Sequence, residues 1–152
     1  MKIGIEKSQF ISFLNEKIEY KTRKANEYME SIQESIRSET KSTAGDKHDT
    51  TRELMQQERN KAAQNISHHL LAQKTIIELR NTKRSERITF GSLIETNRSW
   101  IYIGLSMGKV SYDGIDVLCV SPVSPLARAF EHKTKNETIN FKGVEYSILK
   151  VL

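Results

Sequence analysis

Asp46 and Asp49, in the run Gly45-Asp46-Lys47-His48-Asp49, are the side chains whose type and spacing promise chemistry. Two carboxylates three residues apart at a helix start can both point past its end and present negative oxygens to whatever lies there. The structural alternative is capping. Gly45 ends one helix, and an aspartate accepts hydrogen bonds from the free N–H groups of the next. Capping accounts for one Asp. Other reactive types are less well placed. The lone Cys119 lies in the apolar run Val117-Leu118-Cys119-Val120, where a buried, inert thiol is expected. His68 and His69 are adjacent, so on a helix they diverge by about 100°. No Cys or third His stands at a matching spacing to complete a metal site.

Two long amphipathic helices must position the aspartates. Ile11, Leu14, Ile18, Ala25, Met29, Ile32 and Ile36 recur at steps of three, four or seven, and so do Met55, Ala62, Ile66, Leu70 and Ile77. That period makes a narrow apolar seam on a helix. Reversal at Gly45 sets Ile36 opposite Leu54, Met29 opposite Ala62, Ala25 opposite Ile66 and Leu14 opposite Ile76. The expectation is a long antiparallel two-helix coiled coil over residues 1–84, with its acidic tip near 45–49. From near Ser8 to near Lys41 such a helix extends roughly 50 Å, at ~1.5 Å per residue. An arm of that length buries little for its surface and makes physical sense as a device for reaching.

The 152 residues allow one or two domains; 37% are apolar and 28% charged, which suits a solvated hairpin joined to a small packed domain. No apolar run approaches the roughly 20 residues that span a bilayer. The start, Met-Lys-Ile-Gly-Ile-Glu-Lys, lacks the apolar stretch of a secretory signal, so a cytoplasmic protein is expected. Net charge is +5, and residues 1–87 hold most of it, with 17 Lys+Arg against 13 Asp+Glu. Lys17, Lys21, Arg23, Lys24, Lys74, Arg80, Lys83, Arg84 and Arg87 lie toward the base of the hairpin; Arg52, Arg59 and Lys61 lie nearer the tip. A solvated helix face explains most of these charges. A partly basic arm can also run beside a nucleic-acid backbone, which makes Arg52 and Arg59 candidate RNA contacts.

Helical spacing stops after Arg80–Arg87, and short β-prone runs begin. Ile88–Glu95 and Trp100–Leu105 read as strands joined by a turn at Thr96-Asn97-Arg98-Ser99. Gly108 breaks the next segment, and Gly114 precedes a strand over Ile115–Val120. Pro122 and Pro125 exclude a central strand, while Ser124 before Pro125 opens a short helix over Leu126–Phe130. Thr138–Phe141 and Val144–Val151 flank a tight turn at Lys142-Gly143. Residues 85–152 are therefore expected to form a small antiparallel sheet with one short helix, and the chain to be α+β and multidomain.

The segment Val120-Ser121-Pro122-Val123-Ser124-Pro125-Leu126-Ala127-Arg128-Ala129-Phe130, then Asn136-Glu137-Thr138-Ile139 and the closing hairpin, resembles the C-terminal domain of the bacterial Gre transcript-cleavage factors. The turn Gly45-Asp46-Lys47-His48-Asp49 similarly resembles the Gre tip, where Gly-Asp is followed, after two residues, by a second acid. The resemblance implies that the C-terminal domain is FKBP-like and docks on RNA polymerase. Leu126, Arg128 and Phe130 belong to its docking signature. It further implies that the coiled coil enters the polymerase secondary channel. There Asp46 and Asp49 help hold a second Mg²⁺, shared with the polymerase, and backtracked RNA is cut near its 3′ end. The protein would then be an accessory factor rather than an enzyme, acting as a monomer. Hard carboxylate oxygens suit Mg²⁺, and a second metal activates water and stabilises a leaving oxygen.

The chain also departs from the family. There the second acid is usually Glu followed by Asn-Ala-Glu-Tyr; here Asp49 precedes Thr50-Thr51-Arg52-Glu53, and His48 stands beside the pair. Asp is one methylene shorter. A Gre-like factor that occupies the channel without stimulating cleavage is therefore an alternative. Readings of another class are a coiled-coil adaptor and a prolyl isomerase-like protein; the latter needs an aromatic pocket from Trp100, Tyr102, Tyr112, Phe130 and Phe141.

Overall fold

The computed structural model describes the backbone of residues 4–41 and 46–152, and the side chains of 4–39 and 50–152. Two 35-residue helices, α1 (Lys7–Lys41) and α2 (Asp46–Arg80), precede six strands and one short helix. The α+β class expected from the sequence is what the chain adopts. By compactness it divides into two units, Asn15–Lys74 and Met1–Leu14 with Thr75–Leu152.

In the 15–74 unit the helices run antiparallel. Gln73 Nε2 donates to Thr22 Oγ1 at 3.4 Å, and Tyr28 Oη donates to Glu58 Oε2 at 3.0 Å, so residues rising along α1 meet residues falling along α2. Burial on α1 follows alternating steps of four and three. Ile18, Thr22 and Ile32 are buried, and Ala25, Met29 and Ile36 half-buried. That is the heptad rhythm read from the sequence, with Thr22 supplying the position skipped there. Its hydroxyl is satisfied by the Ile18 carbonyl at 2.8 Å, a bond that lets a polar side chain sit inside.

On α2 the structure corrects the expected seam. Ala62 is buried and Met55 and Ile66 half-buried, as the period requires, but Leu54 is 58% exposed, Leu70 50% and Ile77 62%. His69 and Gln73 are the half-buried residues of that turn instead. Ala62 and His69 are seven apart, so the face set by Ala62 passes through His69 and leaves Leu70 one residue round the helix. Of the facing pairs, Ile36–Leu54 is therefore not a seam pair. The burial of Met29, Ala62, Ala25, Ile66, Leu14 and Ile76 agrees with the other three.

The second unit is built on a sheet of six strands: β1 (Leu93–Thr96), β2 (Trp100–Ile103), β3 (Gly108–Tyr112), β4 (Ile115–Val120), β5 (Thr138–Phe141) and β6 (Val144–Val151). Their order is β3-β4-β2-β1-β6-β5. The expected all-antiparallel sheet is corrected to a mixed one, because β2 pairs in parallel with β4, Trp100 beside Val117 and Ile103 beside Val120. Two tight turns carry positive φ at both central residues, Asp113-Gly114 at 48° and 77° and Lys142-Gly143 at 51° and 79°. These mirror-image turns match the right-handed strand twist and close β3–β4 and β5–β6. The strand expected from Ile88 begins only at Leu93, since Gly91 at φ 92° bends the chain.

Helix α3 (Pro125–Phe130) opens as the sequence suggests. Ser124 is the cap, its hydroxyl accepting from the Ala127 N–H at 3.2 Å, and Pro125 follows at the first position. α3 buries Ala127 and Phe130 among Ile88, Ile94, Ile101, Ile103, Ile139, Ile148 and Val151. Phe130, Val151 and each isoleucine contribute about 1.5–3 kcal/mol by leaving water, Ala127 less. Elsewhere in this unit, Phe10 meets Tyr102 edge-on at 5.4 Å and Tyr112 at 5.4 Å, and Phe13 meets Tyr112 at 5.0 Å. Gly104 lies so close to Leu79 that an added Cβ would sit 2.7 Å from its Cδ2.

Candidate functional site

α1 closes at Lys41 and α2 opens at Asp46, so residues 42–45 link the helices and Asp46 and Asp49 both fall in the first turn of α2. The partial positive charge of a helix N-terminus favours carboxylates there. The side chains of Asp46, His48 and Asp49 lie outside the described residues. Among the described residues, no group of three or more His, Cys, Asp or Glu is arranged to hold a metal.

Further along the 15–74 unit, Arg52 and Arg59 are exposed. Arg59 lines a shallow cleft of about 320 Å³ with Gln33, Ile36, Arg37 and Gln56. Around it run exposed ion pairs, Arg37 to Glu34 at 2.9 Å and Lys61 to Glu58 at 3.5 Å, which add little stability. The Glu58 bond holds the Tyr28 phenol above its ordinary pKa. Arg23 and Lys24 each stand 5.6 Å from the Tyr20 ring. His68 and His69 lie edge-on at 6.0 Å. Burial, then the neighbouring His68 and Lys21 charges, push His69 below the usual imidazole value.

The three residues of the α3 signature have different fates. Leu126 packs against the core and Phe130 is fully buried, 5.5 Å from the Tyr146 ring, while Arg128 is exposed. Only Arg128 offers a charged surface; the other two hold the helix that carries it. Val123, 69% exposed in the turn before α3, is a surface residue that sequence reasoning did not single out.

Cys119 is buried on β4 beside Tyr102, as its apolar run implied, and burial raises its thiol to about 12. It is not a nucleophile at neutral pH. Trp100, Tyr102 and Phe130 lie in the interior rather than around a cleft. No known family model, curated protein or solved structure matches this chain. Among the described residues, no helix is long and apolar enough to cross a membrane.

Proposed function

We propose that this chain is a Gre-type factor of bacterial RNA polymerase. Its helical arm enters the secondary channel as an antiparallel coiled coil and promotes cleavage of backtracked RNA at the polymerase active site. The observation that carries this reading is the pair of 35-residue helices whose four-residue link leads into Asp46, with Asp49 in the same turn. Each helix extends roughly 50 Å at ~1.5 Å per residue, a reach that a compact domain of this size lacks. The heptad burial of Ile18, Thr22, Ala25, Met29, Ile32 and Ile36 supports a stiff arm.

In this reading the β-rich unit is the FKBP-like docking domain, with Arg128 facing the partner and Leu126 and Phe130 fixing α3. Asp46 and Asp49 present oxygens at the arm's end, where they and the polymerase together hold Mg²⁺. The metal, when bound, supplies an activated water and stabilises the leaving oxygen of the RNA. Arg52 and Arg59, exposed on α2, attract the RNA backbone as it is extruded. The factor works as a cytoplasmic monomer and owns no active site itself.

The test mixes purified protein, polymerase and RNA stalled in a backtracked complex, with and without Mg²⁺. Wild type shortens the RNA; Asp46→Ala or Asp49→Ala does not, yet still competes for polymerase. Slowed synthesis without shortening would overturn the cleavage role and favour a channel-occupying regulator. No association with polymerase would overturn the whole reading.

A further inference from the structure

A cleft within the β-rich unit lies far in sequence from Asp46 and Asp49. It measures about 910 Å³, and Arg84, Glu86, Glu95, Lys135, Leu149 and Lys150 are among the residues that line it. A β-bulge shapes it. Glu95 of β1 pairs with Lys150 of β6, but the next residue, Thr96, pairs with Ile148, so Leu149 is the extra residue. Bulges re-aim side chains, and this one leaves Leu149 45% exposed in the cleft between buried Ile148 and Val151.

The cations around that leucine are held on tied segments. The Ile88 N–H donates to the Lys133 carbonyl at 2.8 Å and the His132 N–H to the Ile88 carbonyl at 2.8 Å, fixing the chain at Ile88, four residues after Arg84, to the loop after α3. The Asn136 N–H donates to the Ile148 carbonyl at 2.8 Å, and the Ile148 N–H to the Glu137 carbonyl at 2.9 Å, fixing the same loop to β6. Glu137 Oε2 accepts from the Thr134 N–H at 2.6 Å and from its hydroxyl at 3.1 Å, so the turn bearing Lys135 is closed on itself. Arg84, Lys135 and Lys150 are all exposed and enter none of the ion pairs found among the described residues. Glu95 and Lys150 are strand neighbours and still form none.

We propose that this cleft binds a short acidic peptide segment of a protein partner, with an apolar side chain seated on Leu149 and carboxylates reaching Arg84, Lys135 and Lys150. The lining itself selects a peptide over a nucleic acid. None of the lining residues is aromatic, so bases find no stacking platform, whereas Leu149 gives an apolar side chain a seat. A peptide can match three cations and two carboxylates with its own acids and backbone N–H groups. The preformed loop and bulge keep the ordering cost of binding low.

The proposal is tested with the full chain and a fluorescein-labelled hexapeptide, Asp-Glu-Leu-Asp-Glu-Val, by fluorescence anisotropy without polymerase, so its outcome is separate from that of the cleavage assay. Binding is expected in the micromolar range, weakened at least tenfold by Lys135→Glu and by Leu149→Ser, with Lys109→Glu on β3 leaving it unchanged. Lys135 sits on an exposed turn, so its reversal tests the site even where a change in β6 unfolds the sheet. The Asn/Gln version of the peptide should bind at least tenfold more weakly. No binding at about 1 mM peptide, equal affinity of the Lys135→Glu variant, or tighter binding of an RNA hexamer that the same variant abolishes would each overturn the assignment.

Discussion

Replacing Tyr102 with Phe removes one oxygen, and the protein should become more stable. The Tyr102 hydroxyl is buried and has no hydrogen-bond partner among the described residues, while its ring packs edge-on to Phe10 and lies on β2 beside Cys119. An unsatisfied buried hydroxyl costs about 1–3 kcal/mol, and its loss leaves a void too small to cost more than a few tenths. The net gain should be ~1–2 kcal/mol, or roughly 2–8 °C in melting temperature. Trp100, the only tryptophan, is on the same strand and nearly buried, so its fluorescence in a urea titration reports on this unit directly. Alkaline pH sharpens the test. Burial raises the Tyr102 phenol above its ordinary value of 10.0, so above that pH the unfolded chain releases a proton that the folded chain keeps. Wild-type stability should then fall by up to about 1.4 kcal/mol per pH unit for this group, and the variant should lack that component. A variant less stable than wild type at neutral pH would refute the orphaned hydroxyl.

Gly91→Ala should cost roughly 2–4 kcal/mol, since a Cβ at φ 92° would also lie 2.6 Å from Thr82 Oγ1; Gly108→Ala, at φ 66° with no described residue within 4 Å of its Cβ, should cost only about 1, as urea titrations of both would check. His69→Leu should raise the thermal midpoint of the helical signal and flatten its dependence on acid. His69 titrates below its ordinary 6.5, so stability is lost as pH falls through that value, and the leucine cannot contribute to that loss. Cys119 should resist a thiol reagent at about pH 8 until urea unfolds the sheet, because its thiol is buried and raised to about 12.

What the sequence made legible was local. Ser124-Pro125 opens α3 and Lys142-Gly143 turns β5 into β6 because each signal is complete within two residues. β3 went unread since Val110 is its only buried residue; an exposed edge strand leaves almost no apolar pattern. The α2 seam slipped by one residue because the Leu70-Leu71 pair outweighs His69 in hydrophobicity, although the face through Ala62 is set by geometry. The parallel β2–β4 pairing has no local signature at all. For the candidate sites the contrast is the same. Asp46 and Asp49 can be found in a five-residue run, whereas Arg84, Lys135 and Lys150 come together only after three distant segments are tied.

The place of β6 has a consequence for how the chain is made. It lies between β1 and β5 in the sheet, and Leu93 and Leu152 exchange backbone hydrogen bonds at 3.0 and 2.8 Å. During synthesis β1 therefore waits unpaired on one side, with Ile94 uncovered, until nearly sixty residues more have been added. Helices α1 and α2, whose contacts need nothing downstream in the 15–74 stretch, can assemble well before that. The nascent protein should thus carry a paired 15–74 helix unit while its sheet is still open, and the open strand, not the helix pair, is where a chaperone would be needed.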